Sequence, residues 1–250
     1  MESNPTKQKD LSLVIPCYNE SPHIEASVKE ILFCLSLANI DWEIILINDC
    51  SPDNTLELLQ QIEKWDSRIQ VLNNEKNLGR GATVEKGFKA SQAQVVGYID
   101  IDLSTSPVYI PYFVKKIQSG ELDVATAFRI YQVTLFNIHQ TFIRTVLSIG
   151  YRYISHWMLG HTFKDTEAGY KFFNREKLLP VLEQIQDNHW FWDTEVMIFS
   201  KRLGLKAQEI DTLFDRKPEK KSTVKIFSDT RDYLMNLRKL RRRLKTFAQT

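Results

Sequence analysis

The residues with the clearest capacity for chemistry lie in Val95-Val96-Gly97-Tyr98-Ile99-Asp100-Ile101-Asp102-Leu103-Ser104. The stretch opens as an apolar, β-branched run, the pattern of a strand buried on both faces. Unpaired charge is costly inside such a strand. The spacing therefore predicts a strand ending at Ile99, with Asp100 and Asp102 leaving the sheet at its carboxyl edge, where open α/β sheets place ligands. Two carboxylates so close repel unless a cation lies between them, and a hard divalent ion that also takes phosphate oxygens suits the pair. The plainer alternative is a solvated turn, or a helix cap at Asp102 ahead of Ser104-Thr105-Ser106-Pro107. Two further polar signatures follow apolar runs: Pro16-Cys17-Tyr18-Asn19-Glu20 and Asn48-Asp49-Cys50-Ser51. In a parallel sheet all three would meet on one edge. A dinucleotide-binding chain would carry a glycine-rich turn after its first strand, and Pro16 and Tyr18 stand there instead.

The elements needed to bring these ends together can be read in order. Leu11 to Ile15 is a strand stopped by Pro16. Ser21-Pro22 reads as cap and first residue of a helix carrying Ile24, Val28, Ile31, Leu32 and Leu35 at helical spacing. Glu43 to Ile47 is a second strand, and Ser51-Pro52 repeats the cap before a helix to Trp65. Ile69 to Leu72 is a third strand. Gly79-Arg80-Gly81 leads into a helix ending between Gly87 and Ala90, with Asn77 and the glycines serving a tight turn and close packing. Val95 to Ile99, a helix from Pro107 to Gln118, and a strand from Asp123 to Ala127 follow. Strand and helix alternate, which predicts right-handed crossovers and a mostly parallel, Rossmann-like α/β sheet. Beyond it, 131–163 is rich in apolar residues but broken by His139, Arg144, Arg152 and His156. Arg144 and Ser148, four apart, share a helix face. Asp165 to Phe173 reads as a turn into a strand, Trp190 to Glu195 as the opening of a helix, and Leu205 to Ile210 as a last strand. His139, His156, His161 and His189 have no motif spacing and read as core or surface histidines.

The chain has 250 residues, 43% apolar and 26% charged, which fits a soluble, globular fold with ample core. Charge is unevenly distributed. From Arg216 onward there are 12 Lys and Arg against 3 Asp and Glu, a net +9; the whole chain is +2, so the preceding residues carry −7. An acidic body with a basic tail points to a negatively charged surface as partner. The last helix, about Phe227 to Phe247, places Leu234, Leu237, Leu240 and Leu244 on one side. That pattern suits either a helix lying in the lipid headgroup layer or one packed on the domain. Aromatic interleaving of the kind that binds nucleic acid is missing from it. The three cysteines show no metal spacing and read as reduced thiols. Met1 to Asp10 is polar, without the look of a leader, and no apolar run reaches bilayer-spanning length. The expected division is a polar segment 1–10, a catalytic domain 11–225 and a basic amphipathic helix 226–250.

In this order and spacing the motifs resemble a family-2 glycosyltransferase of GT-A fold. More narrowly they resemble the polyprenyl-phosphate glycosyltransferases, the dolichol-phosphate glucose and mannose synthases and their bacterial relatives. Val14 to Glu20 is similar to the family's opening motif. Ile47-Asn48-Asp49-Cys50-Ser51-Pro52-Asp53-Asn54-Thr55 is similar to its second, with Asn48 in place of an aspartate and Cys50 in place of a glycine. Asp100 to Ser104 resembles the metal motif, and Asp165 to Phe173 a stretch of the glucose-type branch. Asp193-Thr194-Glu195 resembles that branch's Phe-Asp-X-Glu, with Trp192 where Phe is common.

The resemblance implies a metal-dependent, inverting transfer of a hexose from a nucleotide sugar (UDP-glucose or GDP-mannose) to polyprenyl or dolichyl phosphate. The alternative is a soluble saccharide or protein acceptor. Implied donor contacts are Pro16, Tyr18, Glu20, Ile47, Asp49, Asp100, Ile101, Arg129, Arg216 and Lys221, with Lys220 as the other candidate in a loop that has Thr223 where Lys is common. Asp100 and Asp102 would hold Mg²⁺ or Mn²⁺. Arg129, Arg144 and Ser148 would hold the acceptor phosphate, since arginine's planar fork binds phosphate oxygens in pairs. Asp102, Arg129 and Asp193 are the implied catalytic residues, and Asp193 and Glu195 read equally well as charges on a helix N-terminus. The implied location is the cytoplasmic face of a membrane, with peripheral contact or a membrane-protein partner and no nucleic acid.

Overall fold

The computed structural model describes residues 8–131, 150–215 and 226–247. The apolar runs form seven strands of one sheet, β1 (Leu11–Cys17), β2 (Trp42–Asn48), β3 (Ile69–Asn73), β4 (Val95–Ile99), β5 (Val124–Tyr131), β6 (Tyr170–Asn174) and β7 (Ala207–Phe214), in the order β3-β2-β1-β4-β6-β5-β7. β1 pairs in parallel with β2 and β4, β2 with β3, and β5 with β7; β6 lies antiparallel between β4 and β5. The strand order turns back between β1 and β4, which makes their carboxyl ends the crevice of an open α/β sheet. Because β6 is antiparallel, its amino end, Tyr170, lies against Ile99 at that same edge.

Alternation along β1 and β2 divides the core in two. Leu11, Leu13, Ile15, Ile44 and Leu46 pack with helices α1 (Ile24–Ser36), α2 (Thr55–Ile62) and α4 (Ile110–Gln118). Val14, Ile45 and Ile47 face α3 (Arg80–Ala90), α6 (Arg175–Leu182) and α7 (Trp192–Arg202). Residues 150–159 are also helical, here α5. The C-terminal helix α8 (Ile226–Phe247) joins this second layer: Leu237, Leu240 and Leu244 are buried in it and Leu234 packs against it. Burying a leucine is worth roughly 1.5–3 kcal/mol, so the apolar side of α8 is committed to the domain. A helix lying apolar side down in a membrane does not fit this packing. Among the described residues no helix is long and apolar enough to cross a membrane.

Several boundaries differ from those read in the sequence. β1 runs through Pro16 to Cys17, because its pairing with β4 ends at Val14 and the missing N–H opens no gap there. Ser21 does not cap α1, which starts at Ile24; its N–H donates to Asp53. Ser51 accepts from the Asn19 N–H in place of capping α2. Together with the Glu20 N–H donating to Thr55 Oγ1, these bonds clip the turn after β1 onto the turn after β2. The strand read as Asp123 to Ala127 runs on to Tyr131 as β5, which places Arg129 inside it.

Candidate active site

Three turns at the carboxyl edge are built alike. Asn19 after β1, Cys50 after β2 and Leu103 after β4 all take positive φ, 58°, 59° and 51°. That left-handed conformation is costly for a side-chain-bearing residue and collects at functional sites. Cys50 thus adopts the conformation that a glycine would favour.

Past β4, Asp100 and Asp102 line a small concavity with Ser104, Thr105, Arg129, Gly169, Tyr170 and Phe214. The Ser104 N–H donates to Asp102 Oδ1 at 3.0 Å, closing an Asx turn. The end of β7 crosses this turn, with Asp215 N–H donating to Ser104 O at 2.8 Å. Arg129 makes a bidentate pair with Asp165, Nε–Oδ2 2.6 Å and Nη2–Oδ1 2.8 Å, which fixes the plane of its guanidinium. Burial alone would raise the Asp165 carboxyl, but the Arg129 charge outweighs it and holds it below the ordinary value.

Both cation-ligand candidates are hard oxygen donors at the lip of the sheet. Among the described residues no group of three or more His, Cys, Asp and Glu converges, so a cation here would complete its shell with phosphate oxygens and water, as Mg²⁺ commonly does. Room for this is built in. A Cβ on Gly169 would lie 1.9 Å from Asp100 Oδ2, so only glycine lets the carboxylate occupy its position. The donor set fits a divalent cation.

Arg80 supplies the countercharge behind this pair. Its Nη1 donates to Asp100 Oδ1 and Oδ2 at 3.1 and 3.3 Å, and its Nη2 to Asp193 Oδ2. The other Asp193 oxygen accepts from the Tyr98 hydroxyl and from Lys171 Nζ, the latter at 2.9 Å. Tyr98 and Lys171 face each other across β4 and β6. Burial presses the Lys171 ammonium toward deprotonation against the opposing pull of Asp193, and the net direction is down. Asp193, expected among the catalytic residues, is therefore turned into the protein, its side chain 1% exposed and both oxygens taken. Glu195 is buried too. It accepts from the Gln186 and Asp187 N–H groups and pairs with Arg243 of α8. Neither acidic residue of the Asp-Thr-Glu motif faces the concavity.

Asp49 is likewise directed inward. Its Oδ1 accepts from Asn74 Nδ2 and the Leu78 N–H, both at 2.8 Å, and its Oδ2 from the Gly79 N–H at 3.0 Å. It holds the loop into α3, where Gly79 has φ +90°, whereas the resemblance implied a donor contact for it. Ile47 and Ile101 are buried, so only their backbones remain for a donor. Tyr18 is 47% exposed beside the crevice, with Pro16 and Glu20 half-buried next to it. Arg144, Ser148, Arg216, Lys220 and Lys221 lie outside the described residues.

Arg80, Lys171, Tyr98 and Asp165 were not assigned roles from the sequence. Arg80 had a signal: a cation at the first position of a helix opposes the helix dipole and calls for carboxylate partners. A lysine inside the apolar strand Tyr170–Asn174 was a second.

Comparison with known proteins agrees with this architecture. The chain is 30% identical over 214 residues to "Glycosyltransferase AglD" of Haloferax volcanii, covering 85% of this chain and 34% of that protein. It is 28% identical over 211 residues to "Dolichyl-phosphate beta-glucosyltransferase ALG5D" of Trichomonas vaginalis, covering 80% and 64%. The chain thus spans about a third of the first relative and just under two thirds of the second. Among solved structures it resembles glucosyl-3-phosphoglycerate synthase of Mycobacterium tuberculosis in complex with UDP, TM-score 0.64 at 20% identity, over 92% of this chain and 79% of that one. It also resembles a Pyrobaculum calidifontis mannosyltransferase in complex with GDP-Man and Mn²⁺, TM-score 0.57 at 12% identity, over 86% and 59%. These likenesses establish a GT-A fold. The family described as "Glycosyl transferase family 2" matches residues 12–202, and the chain belongs to it.

Proposed function

We propose that this chain is a metal-dependent, inverting hexosyltransferase that moves a sugar from a nucleotide donor, UDP-glucose first among candidates, to a polyprenyl or dolichyl phosphate. The observation that carries the reading is the concavity that Asp100 and Asp102 line together with Arg129, whose guanidinium Asp165 holds in place. It offers a cation site and a guanidinium together, on a chain whose curated relatives include dolichyl-phosphate glucosyltransferases. Tyr18, Pro16 and Glu20 flank the nucleoside end of the crevice. Mg²⁺ or Mn²⁺ on Asp100 and Asp102 would supply Lewis-acid charge for the leaving diphosphate. An acceptor phosphate is already ionised at neutral pH. Its oxygen forms the bond to the anomeric carbon as the nucleoside diphosphate departs, and no general base is required. Positioning and charge carry the rate, which agrees with the inward direction of Asp193. Arg129, with Arg144, Ser148, Arg216 and Lys221 from segments outside the described residues, would hold phosphate oxygens.

Membrane contact, on this reading, is electrostatic. With the leucines of α8 packed inward, Arg238, Arg241, Arg242 and Lys245 face out. Arg241 lies over the ring of Trp157, 5.5 Å from its centroid, and Trp157 and Tyr153 are exposed one turn apart on α5. Exposed aromatics beside arginines suit a headgroup layer at the cytoplasmic face.

The test is a donor screen with Mn²⁺, polyprenyl phosphate and labelled nucleotide sugars. Label extracted into the organic phase, with UDP-glucose or GDP-mannose as donor, is the expected result. Label appearing only on a soluble saccharide, phosphorylated acid or protein would overturn the lipid acceptor.

A further inference from the structure

We propose that Asp193 is a positioning residue: acting through Arg80, it fixes the Asp100 carboxylate in the orientation that receives a divalent cation. The inference rests on the metal reading above and assigns Asp193 no proton transfer.

One planar guanidinium joins the two carboxylates. Its Nη2 is bound to Asp193, and its Nη1 is shared between the two oxygens of Asp100 at 3.1 and 3.3 Å. The ends are unequal. Asp193 is 1% exposed and Asp100 38%, so the charge interaction is stronger at the buried end, where water screens it less. Tyr98 and Lys171 hold the far oxygen of Asp193, which fixes that end of the fork. Trp190 covers the guanidinium face at 4.1 Å, leaving Arg80 little freedom to swing toward solvent. The partly exposed Asp100 is thus aimed by a cation that cannot follow it. A general base would need an oxygen within about 2.6–3.2 Å of a substrate proton; neither Asp193 oxygen is offered to the concavity.

The readout is Mn²⁺ affinity of the full chain, measured by electron paramagnetic resonance with the metal alone. Arg80→Lys keeps the charge but not the two-ended fork, and should weaken Mn²⁺ binding about 10-fold, within the range of about 10–100-fold typical of groups that orient metal ligands. Asp193→Asn should weaken it comparably, and the double variant should add little beyond either single one. If Asp193→Asn does not fold, Arg80→Lys alone decides. Mn²⁺ affinity within twofold of the parent in Arg80→Lys would overturn the inference. So would an Asp193→Asn protein that loses turnover with Mn²⁺ binding intact, since that result marks direct action on substrate. A parent chain that binds no Mn²⁺ would overturn the metal reading as well, which separates the two failures.

Discussion

Gly169 and Asp100 occupy adjoining space that a single methyl group would close. The Asp100 N–H donates to Gly169 O at 3.0 Å, and a Cβ on Gly169 would stand 1.9 Å from Asp100 Oδ2. The glycine comes from the loop into the antiparallel strand β6 and the aspartate from the end of β4, so the contact depends on the sheet topology.

Gly169→Ala should therefore displace the Asp100 carboxylate and spare the core. Mn²⁺ affinity should fall at least about 10-fold, with the denaturation midpoint close to the parent's. Metal binding by titration and a chemical melt on the same sample check both halves. Unchanged Mn²⁺ affinity would show that Asp100 is not a ligand in this pose.

Asp102→Asn separates charge from structure. The asparagine Oδ1 can still accept the Ser104 N–H that closes the turn, so the fold should persist. Removing one of two ligand charges should lower turnover by roughly 100-fold or more, since a Lewis acid at the leaving group supplies several kcal/mol. EDTA should abolish turnover in the parent, and added Mn²⁺ should restore it.

The parallel half of the fold and the Asp100/Asp102 pair were legible because they follow local rules, period-2 apolar runs closed by carboxylates. The antiparallel insertion of β6 was not, since nothing in Tyr170-Lys171-Phe172-Phe173 records its direction. Helix starts failed at Ser21 and Ser51 for a related reason. Both residues have good capping chemistry, but the Ser51 hydroxyl accepts from Asn19 across the crevice, and Ser21 is tied through its N–H to Asp53, three residues ahead of the start of α1. Asp49 and Asp193 carried the right charge at motif positions, yet whether a carboxylate faces a ligand or the interior depends on groups 22 to 113 residues away.

His161 makes stability depend on pH. The Phe163 N–H donates to its Nδ1, so Nε2 carries the proton toward Ser155 Oγ at 2.7 Å and the ring is neutral. Burial, aided by the nearby His156 and Lys201, lowers its pKa from 6.5 to about 4. The folded value lies below the unfolded one, so the stabilisation is full above pH 6.5 and is lost as pH falls toward 4. It should amount to about 2 kcal/mol, after discounting for partial screening. Denaturant melts at pH 7 and pH 5 should show the loss, and His161→Gln should flatten the dependence while lowering stability at pH 7. Equal slopes for the two proteins would remove His161 as the source.

The C-terminal helix lets structural and surface roles be tested on one element. Leu240 is fully buried against the layer formed by α3, α6 and α7, and Arg243 pairs with the buried Glu195. Leu240→Ala should destabilise the domain by about 2–5 kcal/mol. Arg238 and Arg242 point away from that layer, and replacing both with glutamine should shift stability by no more than about 0.5 kcal/mol. If the basic face meets lipid, the same double variant should lose about 2 kcal/mol of binding to anionic vesicles, roughly 30-fold in partitioning, because each basic residue near such a surface is worth about 1 kcal/mol. Vesicle flotation at low and high salt measures this, and high salt should release the parent. Trp157→Ala should weaken flotation as well, since the exposed indole beside Arg241 would enter the headgroup layer. A parent protein that stays in solution with anionic vesicles at low salt would leave the basic face to another acidic partner and confine lipid contact to the acceptor site.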